Sequence, residues 1–339
     1  MRVLVTGSSG FIGSHLVISL VNLGHRVLGI DIKQPTQSTL TAVSYKENIQ
    51  EHGLDCFSFQ QCNILDAIDF QRALADYLPQ VVIHLAARTD LDSSADLHDY
   101  AANIDGVNNL VSAANGIRSL ERCIYTSSQL VCRPGYTPET DVDYQPHTIY
   151  GESKVMTEKI VRDADCGNVT WCLVRPTTVW GPGMNPHYQR FFKMIADGRY
   201  FHVGYAELRK SYGYVGNVVH QYMKLVEAPK DQIHGKTLYL ADYQPLSLRT
   251  WADMLSIEFG AASIRTIPVS AARLVAVCGD LLNTCGFRNF PFNSFRLDNV
   301  LNEYQVDMSE TETICGSTPF TVQQGVTETA KWHKDSVRA

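Results

Sequence analysis

Short apolar runs alternate with longer segments of helical apolar spacing along the first half of the chain. The runs are rich in β-branched and aromatic residues, as is typical of buried strands, and cover 2–6, 26–31, 56–60, 81–85, 123–127 and 169–174. Apolar residues at intervals of three and four predict helices at 11–23, 67–78 and 105–114. Strands that alternate with helices predict a doubly wound parallel sheet covered on both faces.

The pattern becomes irregular beyond residue 175, where proline and glycine cluster at 180–186. Apolar spacing there predicts a strand at 237–241 and helices at 188–196, 248–259 and 271–282. We therefore expect a sheet domain over 1–175 and a smaller C-terminal, substrate-binding lobe over 176–339. Segments of the second half can return to the sheet in such an arrangement.

Composition excludes several classes of protein. The 339 residues include 29 Lys and Arg against 35 Asp and Glu, a net charge of −6, so we expect no nucleic-acid partner. No apolar run approaches the roughly 20 residues of a membrane span, and the N-terminus does not resemble a signal peptide. The nine cysteines form no C-x-x-C pair, so we predict neither a metal site nor a disulfide framework. Reduced cysteines are typical of a cytoplasmic protein.

Three glycines connect the first predicted strand to the first helix. Gly7 allows a tight turn, Gly10 lets the backbone approach a pyrophosphate, and Gly13 lets the helix pack on the strand. The free N–H groups of such a helix N-terminus bind phosphates. Asp31 ends the second strand, where its carboxylate can accept both ribose hydroxyls of NAD and would repel the 2′-phosphate of NADP, although Lys33 lies nearby. This Rossmann pattern predicts NAD as the cofactor and disfavours NADP.

A tyrosine and a lysine stand four residues apart in the middle of the chain. Tyr150 and Lys154 fall on one face of a helix, where the ammonium favours an ionised phenol. Such a phenolate can remove a hydroxyl proton while hydride leaves the same carbon for a nicotinamide. The pair therefore predicts redox chemistry on an alcohol, and Lys154 can also hold the cofactor ribose.

The G-x-x-G-x-x-G spacing resembles that of the extended short-chain dehydrogenase/reductase superfamily, which includes nucleotide-sugar epimerases and dehydratases. The resemblance continues through His-Leu-Ala-Ala-Arg at 84–88, the N-x-x-G-x-x-N-L pattern from Asn103 and the R-P-x-x-V segment from Arg175. It departs at Asn63, where relatives carry aspartate beside the adenine. The resemblance implies further cofactor contacts at Phe11, Ile12, Ile32, Lys33, Asn63, Ile64, Leu85, Ala86, Ala87, Arg88, Asn103, Tyr150, Lys154 and Thr177.

The same resemblance implies that Ser128 is the catalytic hydroxyl, which would hydrogen-bond the substrate oxygen, with Ser127 as a strand-end residue. Related dehydratases carry Asp-Glu directly after this hydroxyl, because the elimination of water needs an additional acid and base. Here Gln129 and Leu130 occupy those positions, which disfavours a dehydratase. Cys132 replaces a tyrosine that is common in relatives.

On the substrate side, the resemblance places a diphosphate-binding cation at Lys210, with Arg209 as a substitute, and a second cation at Arg296. Two cations that converge on a diphosphate are chemically sensible. The resemblance also implies substrate contacts at Thr89 and Thr178, although UDP-hexose epimerases often carry Asn at the latter position. We therefore expect a nucleoside-diphosphate sugar as the substrate and 4-epimerisation as the reaction.

An alternative is a one-way NAD(P)-dependent dehydrogenase or reductase that resembles the 3β-hydroxysteroid-type or ketone-reducing branch of the same superfamily. Its sterol pocket could use a set of apolar side chains late in the chain, although we expect these to form the core face of an amphipathic helix; they are Leu274, Val275, Val277, Leu281, Leu282 and Phe287. A dinucleotide-sensing regulator is disfavoured because the Tyr–Lys pair is kept. The superfamily often dimerises through helices that correspond to 105–114 and 152–162, which implies a homodimer.

Overall fold

The computed structural model describes residues 1–35, 56–91, 94–164, 166–284 and 292–338. Its strands, numbered in chain order, are β1 (Arg2–Thr6), β2 (Arg26–Asp31), β3 (Phe57–Gln61), β4 (Val81–His84), β5 (Arg122–Thr126), β6 (Thr170–Pro176), β7 (Thr178–Trp180), β8 (Phe201–Val203), β9 (Arg209–Lys210), β10 (Tyr212–Tyr214), β11 (Thr237–Leu240), β12 (Leu246–Ser247) and β13 (Arg265–Ile267).

The α-helices are α1 (Phe11–Asn22), α2 (Ala67–Tyr77), α3 (Ala101–Ala114), α4 (Ile149–Asp163), α5 (Pro186–Ala196), α6 (Val215–Glu227), α7 (Lys230–Ile233), α8 (Leu248–Phe259), α9 (Val269–Thr284), α10 (Ser294–Leu301), α11 (Ser309–Cys315) and α12 (Val322–Arg338). Single 3₁₀ turns lie at His98–Tyr100 and Gln129–Val131. Every strand and helix expected from the sequence is present, with ends shifted by a few residues.

Seven strands form one parallel sheet in the order β11-β6-β5-β4-β1-β2-β3. The connections run outward in both directions from β1, so the fold is the expected doubly wound Rossmann arrangement. The order reverses between β1 and β4, where Thr6 pairs with His84. In open α/β sheets the ligand crevice lies outside the carboxyl ends of the strands at this switch point.

The two faces of the sheet have separate cores because successive strand side chains point to opposite faces. Val3 and Val5 of β1 join Leu16 and Leu20 of α1 in one core. Leu4, between them in sequence, joins the other core, which includes Phe70, Leu74 and Leu110 of α2 and α3.

The second half of the chain contributes to both the sheet and the substrate side. β11 pairs with β6, and α6 packs against α1 on one face of the sheet. Around Trp251 of α8, the rings of Trp180, Phe191 and Tyr212 lie with centroids 4.8–5.1 Å away. The division of domains at residue 175 stays a prediction.

The prediction that the large apolar side chains of α9 face the core is wrong. Its buried residues are small, Ala272, Ala276 and Gly279, and the two alanines pack beside Leu297 of α10. The larger side chains point outward instead, with Leu274 and Leu281 exposed by 70% and 65%. Close packing of α9 on α10 selects the small residues, so hydropathy alone misidentified the buried face. Of the candidate sterol-pocket residues, Val275, Val277 and Leu282 are also exposed, and Phe287 lies outside the described residues.

The described residues also show how the cysteines are buried and how apolar the helices are. Five of the eight described cysteines are buried. In the described ranges, no helix combines the length and apolarity that crossing a bilayer requires. These ranges also contain no group of three or more His, Cys, Asp or Glu residues that could hold a metal ion.

Candidate active site

The glycine loop between β1 and α1 is too tightly packed for side chains at two of its three glycines. Gly7 has φ of +71°, and a Cβ there would lie 2.7 Å from the Ala86 nitrogen. A Cβ at Gly13 would lie 2.1 Å from the Gly7 oxygen. These contacts hold the loop against β4 and let α1 begin directly above β1.

The middle glycine has a different reason to be there. Gly10 has ordinary extended φ and ψ of −75° and 174°, and a Cβ would meet only the Gly7 oxygen, at 3.1 Å. Phe11 and Ile12 follow in a first helical turn that has neither a side-chain cap nor an acidic residue. Free N–H groups without a competing carboxylate fit the pyrophosphate of a dinucleotide.

Asp31 reaches back from the end of β2 to the glycine loop. Its carboxylate accepts the backbone N–H groups of Ser9 and Lys33, each at 3.0 Å, and the Ser9 hydroxyl donates to the Lys33 carbonyl. Ile32, between Asp31 and Lys33 in the sequence, is exposed. The carboxylate is therefore fixed beside the loop, where its remaining lone pairs can accept ribose hydroxyls.

His84, which pairs with Thr6 at the start of the glycine loop, is buried and neutral. The Thr6 hydroxyl accepts the N–H groups of Leu85 and Ala86 at 3.2 Å, so its own proton is donated to His84 Nδ1 at 2.9 Å. Burial lowers the pKa of His84 to about 3, and the Lys154 charge adds to this shift. Residues 85–87, expected at the cofactor, are partly buried at the carboxyl end of β4.

Replacing His84 by Asn should flatten the acid side of the stability curve. Because folding lowers the pKa of His84, the unfolded chain binds more protons between about pH 3 and 6.5, and stability falls as the pH falls. Lowering the pH from 7.5 to 5 should cost about 2 kcal/mol through this one residue. Urea unfolding at both pH values measures the difference, and His98→Asn, at an exposed histidine, is the control. An H84N protein with the wild-type pH dependence would contradict the assignment.

Asn103 connects the cofactor segment to the catalytic helix. Its amide accepts the Arg88 N–H at 2.8 Å and donates to the Arg88 carbonyl and to Ser153 Oγ. Ser153 in turn donates to the Tyr150 carbonyl at 2.7 Å. The fully buried amide thus fixes α4 relative to the segment after β4.

Arg88 lies beside that segment but is held by acidic partners. Its guanidinium pairs with Asp90 and Asp99 and lies 4.9 Å from the centroid of the Tyr100 ring. The Tyr100 ring centroid in turn lies 6.1 Å from that of Tyr150. Thr89, expected at the substrate, is exposed.

The two residues expected beside the adenine differ in burial. Asn63 is exposed, and its Oδ1 accepts the Leu65 N–H at 3.0 Å, which leaves one lone pair for an adenine amino group. Ile64 is buried under α3, where a Cβ on Gly106 would lie 2.4 Å from Ile64 Cδ1. Ile64 is therefore mainly a core residue.

Helix α4 presents Tyr150 and Lys154 on one buried face. Thr148 caps the helix by accepting the Gly151 N–H at 3.0 Å. The Lys154 ammonium, 3% exposed, donates to the Thr126 carbonyl at 2.9 Å. Burial lowers the pKa of Lys154 to about 8, and the Glu158 charge opposes this shift.

Ser128 caps the 3₁₀ turn after β5 and follows directly on Thr126 and Ser127. Its Oγ accepts the Leu130 N–H at 3.1 Å, so its proton is available for a substrate oxygen. Thr177 is buried beyond β6, and its backbone N–H donates to the Leu240 carbonyl; the next residue, Thr178, is partly exposed and begins β7. These hydroxyls lie at the carboxyl ends of β5 and β6.

The expected diphosphate cations occupy different environments. The Lys210 ammonium hydrogen-bonds to the Asn299 carbonyl, and burial lowers the pKa of Lys210 to about 8. Asn299 lies on α10, and Arg296 lies on the same helix. Burial and the neighbouring charge of Arg190 lower the pKa of Arg296. Arg209 is exposed. The structure thus brings Lys210, and not Arg209, to α10.

Sequence reasoning missed the buried carboxylate of Glu158 and treated Arg175 as part of a motif. Glu158 is fully buried and pairs with Arg175 at 2.7 Å behind the catalytic segment. Its position eight residues after Tyr150, on the same helical face, was the available signal.

The parallel sheet and its glycine loop are those of a dinucleotide-binding fold. A model of the NAD dependent epimerase/dehydratase family matches residues 3–241. The chain belongs to this family, which confirms NAD as the cofactor.

Two curated relatives have different activities. A 3-beta-hydroxysteroid dehydrogenase from Mycolicibacterium neoaurum is 27% identical over 278 residues, covering 76% of this chain and 70% of that protein. A UDP-glucose 4-epimerase from Mycolicibacterium smegmatis is 32% identical over 198 residues, covering 55% of this chain and 59% of the relative. Sequence similarity thus supports an NAD-dependent enzyme and leaves its substrate class open.

Solved structures agree on the fold. UDP-glucuronic acid 4-epimerase from Bacillus cereus, in complex with NAD, superposes with a TM-score of 0.72 at 23% identity and covers 99% of both chains. UDP-glucose 4-epimerase from Thermotoga maritima has the same TM-score at 19% identity, covering 99% of this chain and all of the other. The Rossmann fold is confirmed over nearly the full length.

Proposed function

We propose that this protein is a nucleoside-diphosphate-sugar 4-epimerase that oxidises the sugar transiently at C4. The observation that carries the proposal is the buried constellation of Ser128, Tyr150 and Lys154, followed by Gln129 and Leu130. A residue pair without a carboxylic acid supplies no acid or base for eliminating water. Epimerisation needs only one proton acceptor and donor, which Tyr150 provides.

Each of the three residues has one task. The Tyr150 phenolate accepts the C4 hydroxyl proton and later returns it. Ser128 donates its free proton to the same oxygen and orients it. Lys154, held by the Thr126 carbonyl, supplies a positive charge that favours the phenolate. We expect Thr177 to lie near the nicotinamide and Thr178 near the sugar, as the resemblance implies.

The glycine loop and Asp31 would hold the cofactor. Bound there, NAD would supply the reversible hydride acceptor that transient oxidation of the sugar carbon needs. The uncapped N-terminus of α1 fits the pyrophosphate, and the Asp31 carboxylate favours two free ribose hydroxyls over a 2′-phosphate. We expect the remaining cofactor contacts implied by the resemblance to line this crevice, apart from Ile64, which is mainly a core residue.

The substrate diphosphate would lie between β9 and α10. Lys210 and Arg296 supply two positive charges there, and Arg190 adds a third nearby. A diphosphate bound there would compensate the charges of these cations. The names of the relatives from Mycolicibacterium smegmatis and Bacillus cereus support a UDP-sugar.

A second candidate is a one-way dehydrogenase or reductase of an apolar alcohol or ketone. The steroid dehydrogenase relative favours it, since the match covers 76% of this chain. The exposed apolar face of α9 also suits a chain that handles apolar molecules. This candidate predicts net production or consumption of NADH, whereas an epimerase produces none.

We also propose a cytoplasmic homodimer. Helices α3 and α4 pack side by side, and Met156 of α4 is exposed on their outer side. A second copy that packs its own pair there would form a four-helix interface.

Denaturing freshly purified protein and identifying the released nucleotide by mass spectrometry tests the proposal. We expect NAD(H) in near-stoichiometric amount, because an epimerase recycles its cofactor within the site. A panel of nucleoside-diphosphate sugars should then yield one substrate that converts to its 4-epimer. An empty site, with NADH formed from a steroid alcohol, would replace this proposal by the second candidate.

A further inference from the structure

Glu158 is a buried acid that the proposed chemistry does not use. It lies on α4 one turn beyond Lys154 and two turns beyond Tyr150, on the same face of the helix. It is 0% exposed. A carboxylate in such a place is costly unless it is fully paired, so its partners indicate what it holds.

Four hydrogen bonds satisfy this carboxylate. Arg175 of β6 binds both oxygens, with Nε at 2.7 Å from Oε1 and Nη2 at 2.8 Å from Oε2. Ser127 donates to Oε1 at 2.7 Å, and Tyr144 donates to Oε2 at 3.0 Å. The guanidinium also donates to the Asp141 carbonyl, in the segment that leads to α4.

The bond from Ser127 connects this pair to the catalytic hydroxyl. Ser127 directly precedes Ser128, and the preceding residue, Thr126, binds the Lys154 ammonium through its carbonyl. Glu158 and Lys154, one turn apart on α4, therefore hydrogen-bond to the adjacent residues Ser127 and Thr126. These two residues directly precede Ser128. That geometry fixes the Ser128 backbone relative to Tyr150 and Lys154.

The charges around Lys154 make Glu158 electrostatically important as well. His84 of β4 faces the ammonium and is neutral. Glu158 raises the pKa of Lys154 against the effect of burial. Arg175 compensates Glu158, and Arg162 of α4 lies 3.7 Å from its Oε2. The other titratable groups that face the carboxylate are Tyr144, Cys132 and Tyr239.

We propose that Glu158, clamped by Arg175, is a positioning residue that aligns Ser128 through Ser127 and balances the charge of the Lys154 ammonium one helical turn away. The inference rests on the proposed role of Ser128, Tyr150 and Lys154. In this proposal the buried Glu158–Arg175 ion pair fixes the position of the Ser128 hydroxyl relative to the Lys154 ammonium.

Replacing Glu158 by Gln keeps the side-chain size and removes the charge. The Lys154 pKa should fall by about one unit, because the opposing negative charge is lost and the Arg175 charge becomes uncompensated. The titration is measurable by NMR of lysine labelled with ¹³C at Cε, assigned with Lys154→Ala. We expect the kcat to fall about tenfold with the KM for the sugar nucleotide changed less than twofold, and the alkaline limb of the kcat profile to move to lower pH.

Three further variants distinguish the alignment of Ser128 from the effect of the Glu158 charge on Lys154. Ser127→Ala keeps the carboxylate, so kcat should fall about tenfold while the Lys154 titration stays unchanged. Glu158→Asp keeps the charge and should leave the Lys154 pKa near that of wild type. Tyr144→Phe removes a hydrogen bond on the far oxygen and should keep kcat within twofold of wild type.

The proposal would be overturned if folded, NAD-containing E158Q had the wild-type kcat and the wild-type Lys154 titration, and folded S127A had the wild-type kcat. If E158Q does not fold, wild-type kcat in folded S127A overturns the alignment, and a shifted Lys154 pKa in E158D overturns the role of the charge. Failure of the proposed function is a separate result: wild type would convert no sugar nucleotide, while the NMR titration would still report on Glu158.

Discussion

Replacing Tyr150 by Phe should abolish turnover while leaving NAD bound. Only the hydroxyl is removed, so the ring can still pack against Tyr100, and the Ser153 bond to the residue 150 carbonyl is kept. General acid–base catalysis typically contributes 10²–10⁴-fold, so we expect kcat to fall about 10³-fold. Progress curves by NMR measure kcat, and mass spectrometry of the denatured variant measures the retained cofactor.

Tyr77→Phe is the matched control for this variant. The Tyr77 hydroxyl donates to the Arg26 carbonyl, away from the carboxyl ends of the strands, so its removal should leave kcat within twofold of wild type. Full activity in the Tyr150 variant would remove the phenol from the mechanism. Loss of activity together with loss of NAD would show that the hydroxyl acts in cofactor binding instead of proton transfer.

The second large effect is expected from replacing Gly13 by Ala. Alanine is favoured over glycine inside a helix by about 1 kcal/mol, but the new Cβ would lie 2.1 Å from the Gly7 oxygen. Relief of that overlap must move backbone, and we expect it to cost about 3 kcal/mol. The moved N–H groups would bind the pyrophosphate poorly, so the affinity for NAD should fall at least about 100-fold. Urea unfolding and titration calorimetry measure the two effects.

Gly116→Ala provides the comparison for the glycine substitution. Its Cβ would meet the Ala113 oxygen at an ordinary 3.6 Å, so the free energy of unfolding should change by less than about 0.5 kcal/mol. A Gly13 variant that binds NAD like wild type would show that the loop does not hold the cofactor.

The parts of the site that are local in sequence were predictable. The glycine loop needs only a strand, a tight turn and a helix in succession, so Gly7 and Gly13 could be assigned before their close contacts were seen. Tyr150 and Lys154 share a face by helical spacing alone. Alternation of strands and helices likewise sufficed for the sheet, because right-handed crossovers leave few arrangements.

Features that depend on contacts between distant segments were not predictable. The exposed face of α9 follows from Ala272 and Ala276 packing on α10, which hydropathy does not encode. Lys210 reaches α10 and Arg209 does not, because the two neighbours on β9 point in opposite directions. Glu158 meets Arg175 and Ser127 only when α4 is laid across β5 and β6.

Transient oxidation at C4 is tested by isotope labelling of the substrate. The sugar nucleotide that the panel identifies is prepared with deuterium at C4 and incubated with the protein, and the products are followed by NMR together with the absorbance of NADH. We expect the 4-epimer to appear with deuterium retained at C4 and with no net NADH. Accumulation of a ketone with stoichiometric NADH, or an epimer whose C4 deuterium has exchanged with water, would contradict it.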